Sequence, residues 1–224
     1  MFITFEGLDF SGKTTQAALL VEKLRSMDLR GARRGADPHL HQLAGSGTVH
    51  FLREPGGTHI SERIREILLD KTSHALTATA EILLFSASRT QLVSEVILPA
   101  LGRGEIVVCD RFVDSTTAYQ GYGRGLDPED VERINNVATL GLTPNLTIFI
   151  DIPVLEIEQR KLAAGLTFDR MEDSGREFYE RVRAGFLEIA QRQHARFVVV
   201  NGMRPLEAVH LEIWHAVERA FANA

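Results

Sequence analysis

The sequence predicts an α/β fold in which a parallel sheet of about five strands carries helices on both faces. Short apolar runs alternate with longer segments of helical periodicity along the 224 residues. The apolar runs lack polar alternation, as expected for strands that are buried on both faces of a parallel sheet. Because such sheets bind ligands beyond the carboxyl ends of their strands, the residues that follow each run are candidates for a site.

The predicted elements follow one another in a regular order. The strands are Phe2–Glu6, Val49–Arg53, Glu105–Asp110, Leu146–Asp151 and Arg196–Val200. The helices are 14–24, 60–69, 75–101, 128–141, 154–164, 174–193 and 205–221. The helix over 75–101 is long enough that we expect it to bend. Residues 1–224 are expected to form a single domain, in which the glycine-rich and arginine-rich stretch 28–49 is a flexible loop insertion.

Composition and charge narrow the function classes. The 25 Lys and Arg against 30 Asp and Glu give a net charge of −5, which disfavours binding along a nucleic-acid backbone. The single cysteine, Cys109, excludes an intramolecular disulfide framework and a cysteine-based zinc cluster. The start of the chain lacks a basic segment, and no apolar run reaches the length of a membrane span. We therefore expect a cytoplasmic protein with no nucleic-acid or membrane partner.

Residues 7–14 read GLDFSGKT and match the phosphate-loop pattern G-x-x-x-x-G-K-S/T, after a strand and before a helix. Backbone amides and the helix N-terminus bind phosphates in such loops. Lys13 is expected to reach the outer phosphates, and the Thr14 hydroxyl is expected to ligate Mg²⁺. The candidate triphosphate-binding residues are Gly7, Leu8, Asp9, Phe10, Ser11, Gly12, Lys13, Thr14 and Thr15. The motif predicts the three-layer fold of a P-loop NTPase.

Asp110 ends the third predicted strand, where P-loop proteins commonly hold Mg²⁺ directly or through water. A structural role at the end of the strand is the alternative. Thr14 and Asp110 are therefore the candidate metal residues.

Three arginines indicate a second anion site near the same edge of the sheet. Arg53, Arg89 and Arg111 follow or face predicted strand ends, and a planar guanidinium binds phosphate in a bidentate way. Phe85 and Arg89 are four residues apart and share a helical face, so the ring could stack on a base whose edge the arginine bonds. Surface ion pairs for the arginines and a core position for Phe85 are the alternatives.

A lid is predicted over 155–172. Arg160 and Lys161 precede Gly165 and the segment 168–172, which reads FDRME. A basic helix-loop-helix that closes over the phosphates would exclude water and bring positive charge to the transferred group. An exposed, solvated face is the alternative reading.

Six segments occur in the order typical of one family: FEGLDFSGKTTQ, REPGGT, FSASRTQ, DRFVDSTTAYQGYGRGL, PNLTIFIDIP and FDRME. Together they resemble bacterial thymidylate kinase, a family of P-loop nucleoside monophosphate kinases, over nearly the whole chain except the 28–49 loop. The resemblance implies transfer of the γ-phosphoryl group of ATP to dTMP, giving dTDP and ADP in dTTP synthesis. Mg²⁺ would be the cofactor.

The resemblance also implies how dTMP is bound. Asp9 would bind the deoxyribose 3′-hydroxyl, and Arg53 and Arg111 would hold the acceptor phosphate. Phe85 would stack on thymine, and Arg89 would bond the edge of the base.

Four residues after the third strand complete the implied pocket. Ser115 and Thr116 would lie beside the base. Tyr119 would press against the sugar carbon that carries no hydroxyl, which disfavours ribonucleotides. Gln120 would help to close the pocket.

Two departures from the family bear on catalysis. Some members carry an arginine in the phosphate loop where this chain has Phe10, so the lid should supply the transition-state charge. Residues 163–165 replace another expected lid arginine, which leaves Arg160 as the main lid cation, helped by Lys161 and Arg170. The expected catalytic residues are Lys13, Arg111 and Arg160.

The second departure is the 28–49 loop, which is longer than the usual connection. We expect it to have no catalytic consequence. Family members of this type are homodimers, and the helices near 60–69 and 75–101 are the candidate interface.

Other functions remain open from the residues alone. A kinase for another monophosphate would use the same pocket, and a nucleoside kinase could use Glu54 or Asp110 near the 5′-hydroxyl. A nucleotide-driven switch is the alternative from a different class. A GTPase would show an N/T-K-x-D segment, which the sequence lacks. A switch would also not need a second arginine-lined pocket.

Overall fold

Five parallel strands form the central sheet. The structure is a computed structural model that describes residues 1–27, 48–164, 170 and 174–223. The strands are β1 (Phe2–Glu6), β2 (Val49–Arg53), β3 (Ile106–Asp110), β4 (Leu146–Asp151) and β5 (Phe197–Asn201). Their order is β2-β3-β1-β4-β5, and each neighbouring pair is parallel. The predicted α/β fold is confirmed.

Helices cover both faces of this sheet. The described α-helices are α1 (Lys13–Ser26), α2 (His59–Leu69), α3 (Ala78–Leu92), α4 (Leu98–Gly102), α5 (Val113–Thr116), α6 (Pro128–Thr139), α7 (Val154–Ala164), α8 (Arg176–Arg192) and α9 (Leu206–Ala222). A 3₁₀ turn at Lys71–Ser73 follows α2, and π turns follow α3 at Val93–Ile97 and α5 at Thr117–Gly123.

Alternate residues of the central strands face opposite helical layers. Phe5 of β1 packs with α1 and α9, whereas Phe2 packs with the π turn after α3. Ile148 of β4 faces the α1 and α9 layer, and Phe149 stacks on Phe186 of α8 with ring centroids 5.0 Å apart. Because successive side chains of a strand point to opposite faces, an unbroken apolar run fills both layers.

Two strands begin one residue later than predicted. The amide of Glu105 donates to the carbonyl of Ala100, and the amide of Arg196 donates to the carbonyl of Gln193. Both amides therefore close turns, and the ladders begin at the next residue.

The predicted helix over 75–101 begins later and is interrupted. The Thr77 hydroxyl accepts the amide of Ala80, so the helix begins at Ala78. The π turn at Val93–Ile97 lies just before Pro99, which has no amide hydrogen for the regular ladder.

Two predicted segments lie largely outside the described residues. Of the 28–49 loop, the structure describes only Thr48 and Val49, where β2 begins. Of the lid region 155–172, it describes α7 from Leu155 onward and Arg170. In the described part of the chain, no helix is both long and apolar enough to span a bilayer.

Candidate functional site

The carboxyl ends of β1, β2 and β3 meet beside a cavity of about 320 Å³. Asp110 of β3 pairs in register with Arg53 of β2 and with Phe5 of β1, so the residues that follow these strands lie side by side. The lining residues are Asp9, Lys13, Thr14, Arg53, Glu54, Pro55, Arg65, Leu69, Phe85, Arg89, Asp110, Arg111, Ser115, Thr116, Tyr119 and Gln120. The cavity thus unites part of the phosphate loop with all of the predicted acceptor residues.

The phosphate loop connects β1 to α1. Gly12 has a φ of +89° at the start of α1, and Gly7 has a φ of +147°. A Cβ at position 7 would lie 2.7 Å from the carbonyl oxygen of Ile150, so this position requires glycine. Lys13 Nζ donates to the carbonyl of Leu8 at 3.3 Å. The loop therefore curls tightly around the ammonium group of its own lysine.

The other predicted loop residues have different surroundings. Ser11 is buried, and its hydroxyl has no partner among the described residues. Thr15 is exposed on α1. Asp9, Lys13 and Thr14 are the loop residues whose side chains line the cavity.

Thr14 and Asp110 lie in direct contact. The Thr14 hydroxyl donates to Asp110 Oδ2 at 2.5 Å. Asp110 Oδ1 is buried and has no hydrogen-bond partner among the described residues. An orphaned carboxylate oxygen beside a hydroxyl is a set of hard oxygen donors, which suits a small divalent cation.

Asp9 and Arg111 form the charged centre of the cavity. Arg111 Nη2 bonds Asp9 Oδ1, and the Tyr119 hydroxyl donates to Asp9 Oδ2 at 3.1 Å. Burial opposes ionisation of Asp9, but the positive charges of Arg111 and Lys13 outweigh it and lower the pKa of Asp9 to about 2. Asp9 is therefore a carboxylate at neutral pH and holds Arg111 in one orientation.

The backbone of Arg111 adopts a φ of +71°. A non-glycine residue in this left-handed region costs of order 1 kcal/mol and persists where the surroundings fix it. Here the amide of Arg111 donates to the carbonyl of Phe5, and its Nη1 donates to Gly7 and to the Ser115 hydroxyl. The strain places the guanidinium between the phosphate loop and the acceptor pocket.

Arg53 and Arg65 line the opposite wall. Arg53 Nη2 donates to Glu62 of α2 at 3.0 Å, and Nη1 donates to the carbonyl of Pro55. Arg65 donates to the same carbonyl at 2.9 Å. Arg65 was not among the predicted site residues, because its position on one turn of α2 carries no motif that would distinguish it from a surface arginine.

Phe85 and Arg89, the predicted base-binding residues, differ in burial. Phe85 is half-buried, whereas Arg89 is 1% exposed. Arg89 Nε donates to Glu54 at 2.8 Å, and Nη2 donates to the carbonyl of Phe112 at 3.1 Å. Burial raises the pKa of Glu54 above its usual range, although Arg89 opposes the shift. The guanidinium is thus fixed before any ligand binds.

The short helix α5 and the π turn after it provide the remaining wall. Their cavity residues are Ser115, Thr116, Tyr119 and Gln120. Gln120 is 1% exposed, and its amide nitrogen donates to Glu81 of α3 at 2.9 Å. The buried carboxylate of Glu81 therefore fixes which end of this amide faces the cavity.

Glu6 hydrogen-bonds the residues of this wall and so fixes their position, a role that the sequence did not reveal. Its Oε1 accepts the amides of Phe112 and Ser115, and its Oε2 accepts the Ser115 hydroxyl at 2.5 Å. Burial and the nearby charge of Asp114 raise the pKa of Glu6 to about 8, against the opposing effect of Ser115 and Arg111. The sequence places Glu6 at the end of a predicted strand, but this position does not identify hydrogen-bond partners that are more than a hundred residues away in the chain.

Replacing Glu6 with glutamine should make folding stability less dependent on pH. Between the ordinary pKa near 4.5 and the folded value of about 8, the native chain keeps a proton that the unfolded chain loses. Stability of the parent protein therefore falls as pH rises through this window. The free energy of unfolding of Glu6→Gln, relative to that of the parent, should therefore increase between pH 5 and pH 8. Urea unfolding at each pH measures this difference.

The exposed residue Glu129 provides the control, since Glu129→Gln makes the same chemical change on the outside of α6. The difference in unfolding free energy between Glu129→Gln and the parent should stay nearly constant over the same pH range. A difference for Glu6→Gln that is also independent of pH would contradict the assignment of a proton to Glu6.

Arg160 of α7 lies against the phosphate loop. Its Nε donates to Glu156 at 2.7 Å, and its Nη1 donates to the carbonyl of Phe10 at 3.0 Å. Lys161 Nζ donates to the Tyr179 hydroxyl of α8 at 3.2 Å and lies 6.0 Å from the centroid of the Phe10 ring. Arg160 therefore hydrogen-bonds the backbone of the loop, whereas Lys161 faces the ring of Phe10.

A parallel sheet with a phosphate loop after its first strand, joined to an arginine-lined second pocket, defines a P-loop nucleoside monophosphate kinase. The sequence profile described as thymidylate kinase matches residues 38–213. The chain belongs to the thymidylate kinase family.

Individual relatives agree with this assignment. A thymidylate kinase of Pelotomaculum thermopropionicum is 45% identical over 97% of this chain and 92% of its own length. One from Pelodictyon phaeoclathratiforme is 45% identical over 95% of this chain and 93% of its own length. The crystal structure of thymidylate kinase from Ehrlichia chaffeensis superimposes with a TM-score of 0.72 at 34% identity, covering 97% of this chain and 98% of the other. The predicted P-loop fold and the family resemblance are confirmed.

Proposed function

We propose that the protein transfers the γ-phosphoryl group of ATP to dTMP, giving dTDP and ADP in dTTP synthesis. The shared cavity carries this proposal, since Lys13 and Thr14 line the same space as Arg53, Phe85 and Arg89. A transferase must hold its acceptor beside the donor, whereas a nucleotide switch has no use for a second anion pocket. The relatives named above are thymidylate kinases, which indicates dTMP as the acceptor.

Catalysis would consist mainly of positioning and charge stabilisation. The attacking oxygen belongs to the phosphate of dTMP and is already anionic, so no general base is required. Arg53 and Arg111 hold this phosphate in line with the γ-phosphoryl group, and Arg111 is oriented in advance by Asp9. Lys13 and Arg160 meet the negative charge that spreads over the transferred group in a loose transition state.

The opposite end of the cavity would select the nucleoside. Phe85 stacks on thymine, and the buried guanidinium of Arg89 donates to an edge of the base. Thr116 and the oriented amide of Gln120 lie beside the base. Asp9 accepts the 3′-hydroxyl, and the ring of Tyr119 leaves no room for a hydroxyl on the neighbouring sugar carbon.

Mg²⁺ is the metal that fits Thr14 and Asp110. Among the described residues, no cluster of three or more His, Cys, Asp or Glu could hold a metal unaided. Mg²⁺ commonly takes one or two protein ligands and completes its shell with phosphate oxygens and water. The ion supplies neutralisation of the charge on the β- and γ-phosphates, while Asp110 is fixed by its bond to Thr14.

ADP formation should require a monophosphate acceptor. With Mg²⁺ and ATP, dTMP should stimulate ADP release strongly and dUMP more weakly, because uracil offers the same carbonyl groups to Arg89 but lacks the apolar 5-methyl group of thymine. Thymidine should be inactive, because Arg53 and Arg111 then have no phosphate to hold. A coupled assay with dTMP, dUMP, dCMP, dGMP, AMP and thymidine measures this selectivity.

The blank for this assay is the Lys13→Ala variant. Turnover that is equal with every acceptor and without any would overturn the transferase and leave only nucleotide binding by the loop. Preference for a different monophosphate would retain the kinase and reassign its base pocket.

We propose a homodimer that pairs through α2 and through α3 and α4, which together cover most of the predicted helix over 75–101. Its support is a row of exposed apolar side chains on these helices, namely Ile60, Ile67, Leu83 and Leu98. The cytoplasmic location and the lack of nucleic-acid and membrane partners stay predictions from the sequence.

A further inference from the structure

Glu62, near the beginning of α2, bonds both ends of a glycine turn beside the acceptor pocket. Its Oε1 accepts the amide of Gly57 at 2.7 Å, and its Oε2 accepts Nη2 of Arg53 at 3.0 Å. Arg53 ends β2 and lines the catalytic cavity, whereas Glu62 does not line it. One carboxylate outside the cavity therefore connects α2 to an arginine that faces the acceptor.

The turn between the two bonds requires glycine. Gly56 has a φ of +131°, and a Cβ there would lie 2.5 Å from Oε1 of Glu62 and 2.6 Å from Nη1 of Arg53. The amide of Gly56 also donates to the Ser88 hydroxyl of α3 at 3.2 Å, which ties the turn to a second helix. The carboxylate and the guanidinium are thus held against a backbone of fixed shape.

The guanidinium of Arg53 is restrained but not used up. Its Nη1 donates to the carbonyl of Pro55 at 3.0 Å and its Nη2 donates to Glu62, and Arg53 makes no other hydrogen bond to the described residues. A guanidinium carries five N–H groups, so three remain for phosphate oxygens. An arginine that is oriented before binding loses less side-chain entropy when its ligand arrives.

The same pair contributes little to folding. The side chains of Arg53 and Glu62 are 48% and 41% exposed, and ion pairs at such positions add little stability. The amide of Gly57 lowers the pKa of Glu62, and Arg53 adds to this shift although slight burial opposes it. Glu62 is therefore a carboxylate at neutral pH, and its main effect is on the direction of the arginine.

We propose that Glu62 is a positioning residue that orients Arg53 towards the phosphate of the acceptor. This inference rests on the proposed function, in which Arg53 holds the phosphate of dTMP. Without Glu62, the guanidinium would keep only its bond to the carbonyl of Pro55 and could turn towards solvent. Binding of the phosphate would then have to order the side chain, which lowers the affinity.

Calorimetric titration with dTMP and with thymidine tests this role. Glu62→Ala should lower the affinity for dTMP about fivefold, which is the effect of losing one well-oriented charge contact. The affinity for thymidine should stay within about twofold of the parent, because thymidine has no phosphate for Arg53 to hold. Glu62→Gln keeps the length and one oxygen acceptor, so its affinity for dTMP should lie between those of the parent and of Glu62→Ala.

Steady-state kinetics provide a second readout. In Glu62→Ala, the KM for dTMP should rise by about the same factor as the dissociation constant, whereas the KM for ATP should stay within about twofold of the parent. Glu66→Ala is the matched control, because Glu66 is exposed one turn further along α2 and Arg53 bonds Glu62 instead. This control should leave both KM values within about twofold of the parent.

A double-mutant cycle shows whether Glu62 acts through Arg53. In a protein that carries Arg53→Ala, adding Glu62→Ala should cause no further loss of affinity for dTMP. Losses that simply add would overturn the proposal. Equal losses for dTMP and thymidine would also overturn it, because they would indicate general damage to the pocket. Unchanged or tighter binding of dTMP by Glu62→Ala would overturn it as well.

Failure of this inference can be told from failure of the proposed function. A parent that phosphorylates dTMP, with a Glu62→Ala variant that binds dTMP equally well, contradicts only the role of Glu62. If the parent prefers another monophosphate, the same titration with that nucleotide and its nucleoside decides the role of Glu62. A parent that binds no monophosphate overturns both.

Discussion

Replacing Lys13 with alanine should lower kcat for dTMP-dependent ADP formation about a thousandfold. Lys13 is 7% exposed, and its ammonium group is fixed by the carbonyl of Leu8 and by Asp9, 3.8 Å away. Such a charge stabilises the outer phosphates without reorganisation when negative charge develops there. Water that fills the space left by the lysine side chain carries no fixed positive charge, so it cannot replace the ammonium group. Steady-state kinetics at saturating ATP and dTMP measure the loss.

The KM for dTMP should change much less than kcat, because the acceptor is held by other groups. Arg53 and Arg89 lie on the far walls of the cavity and do not contact Lys13. Calorimetric binding of dTMP to Lys13→Ala would show that the acceptor pocket is intact.

Lys23→Ala is the control for charge and for the helix. Lys23 lies on the same helix α1, with its Nζ 3.9 Å from the Trp214 ring and away from the cavity. Its removal should leave kcat within about twofold of the parent, apart from any loss of stability. A Lys13→Ala protein that is folded and keeps more than about a tenth of the parent kcat would contradict the role assigned to Lys13.

The sequence predicted the three central strands well because they are buried on both faces, whereas the edge strands β2 and β5 are partly exposed. Runs such as Ile106–Asp110 have no polar alternation, and a parallel sheet between helical layers buries such a run completely. Two strands begin one residue later than predicted, because the backbone amides of Glu105 and Arg196 close turns that composition does not reveal. The π turns were not predicted, because each replaces the hydrogen bonds of the α-helix with i→i+5 bonds over one short segment only.

The functional site, like the sheet, was predicted only in part from the sequence. Spacing alone indicated Lys13 and Thr14, because a phosphate loop is a local motif. The supports of the pocket are not local. Glu6 and Glu81 act through partners that are distant in sequence, and their burial appears only when β1, α3 and α5 are packed together.

Replacing Arg160 with alanine should lower kcat on the order of a hundredfold or more. The side chain is held by its own helix, since Glu156 lies one turn earlier and accepts Nε. Its other end reaches the carbonyl of Phe10, within the loop that is expected to hold the triphosphate. Some family members carry an arginine at the position of Phe10, so in this chain Arg160 would bring the missing charge from α7.

Lys161→Ala is the discriminating comparison. The ammonium group of Lys161 bonds the Tyr179 hydroxyl and lies 4.5 Å from the centroid of that ring, so its loss should cost much less than the loss of Arg160. Arg160→Lys keeps the positive charge but lacks the planar guanidinium, so its kcat should lie between those of the parent and of Arg160→Ala. A larger loss for Lys161→Ala than for Arg160→Ala would reverse the assignment. Equal, small losses for both would mean that positive charge from α7 does not reach the transferred phosphoryl group.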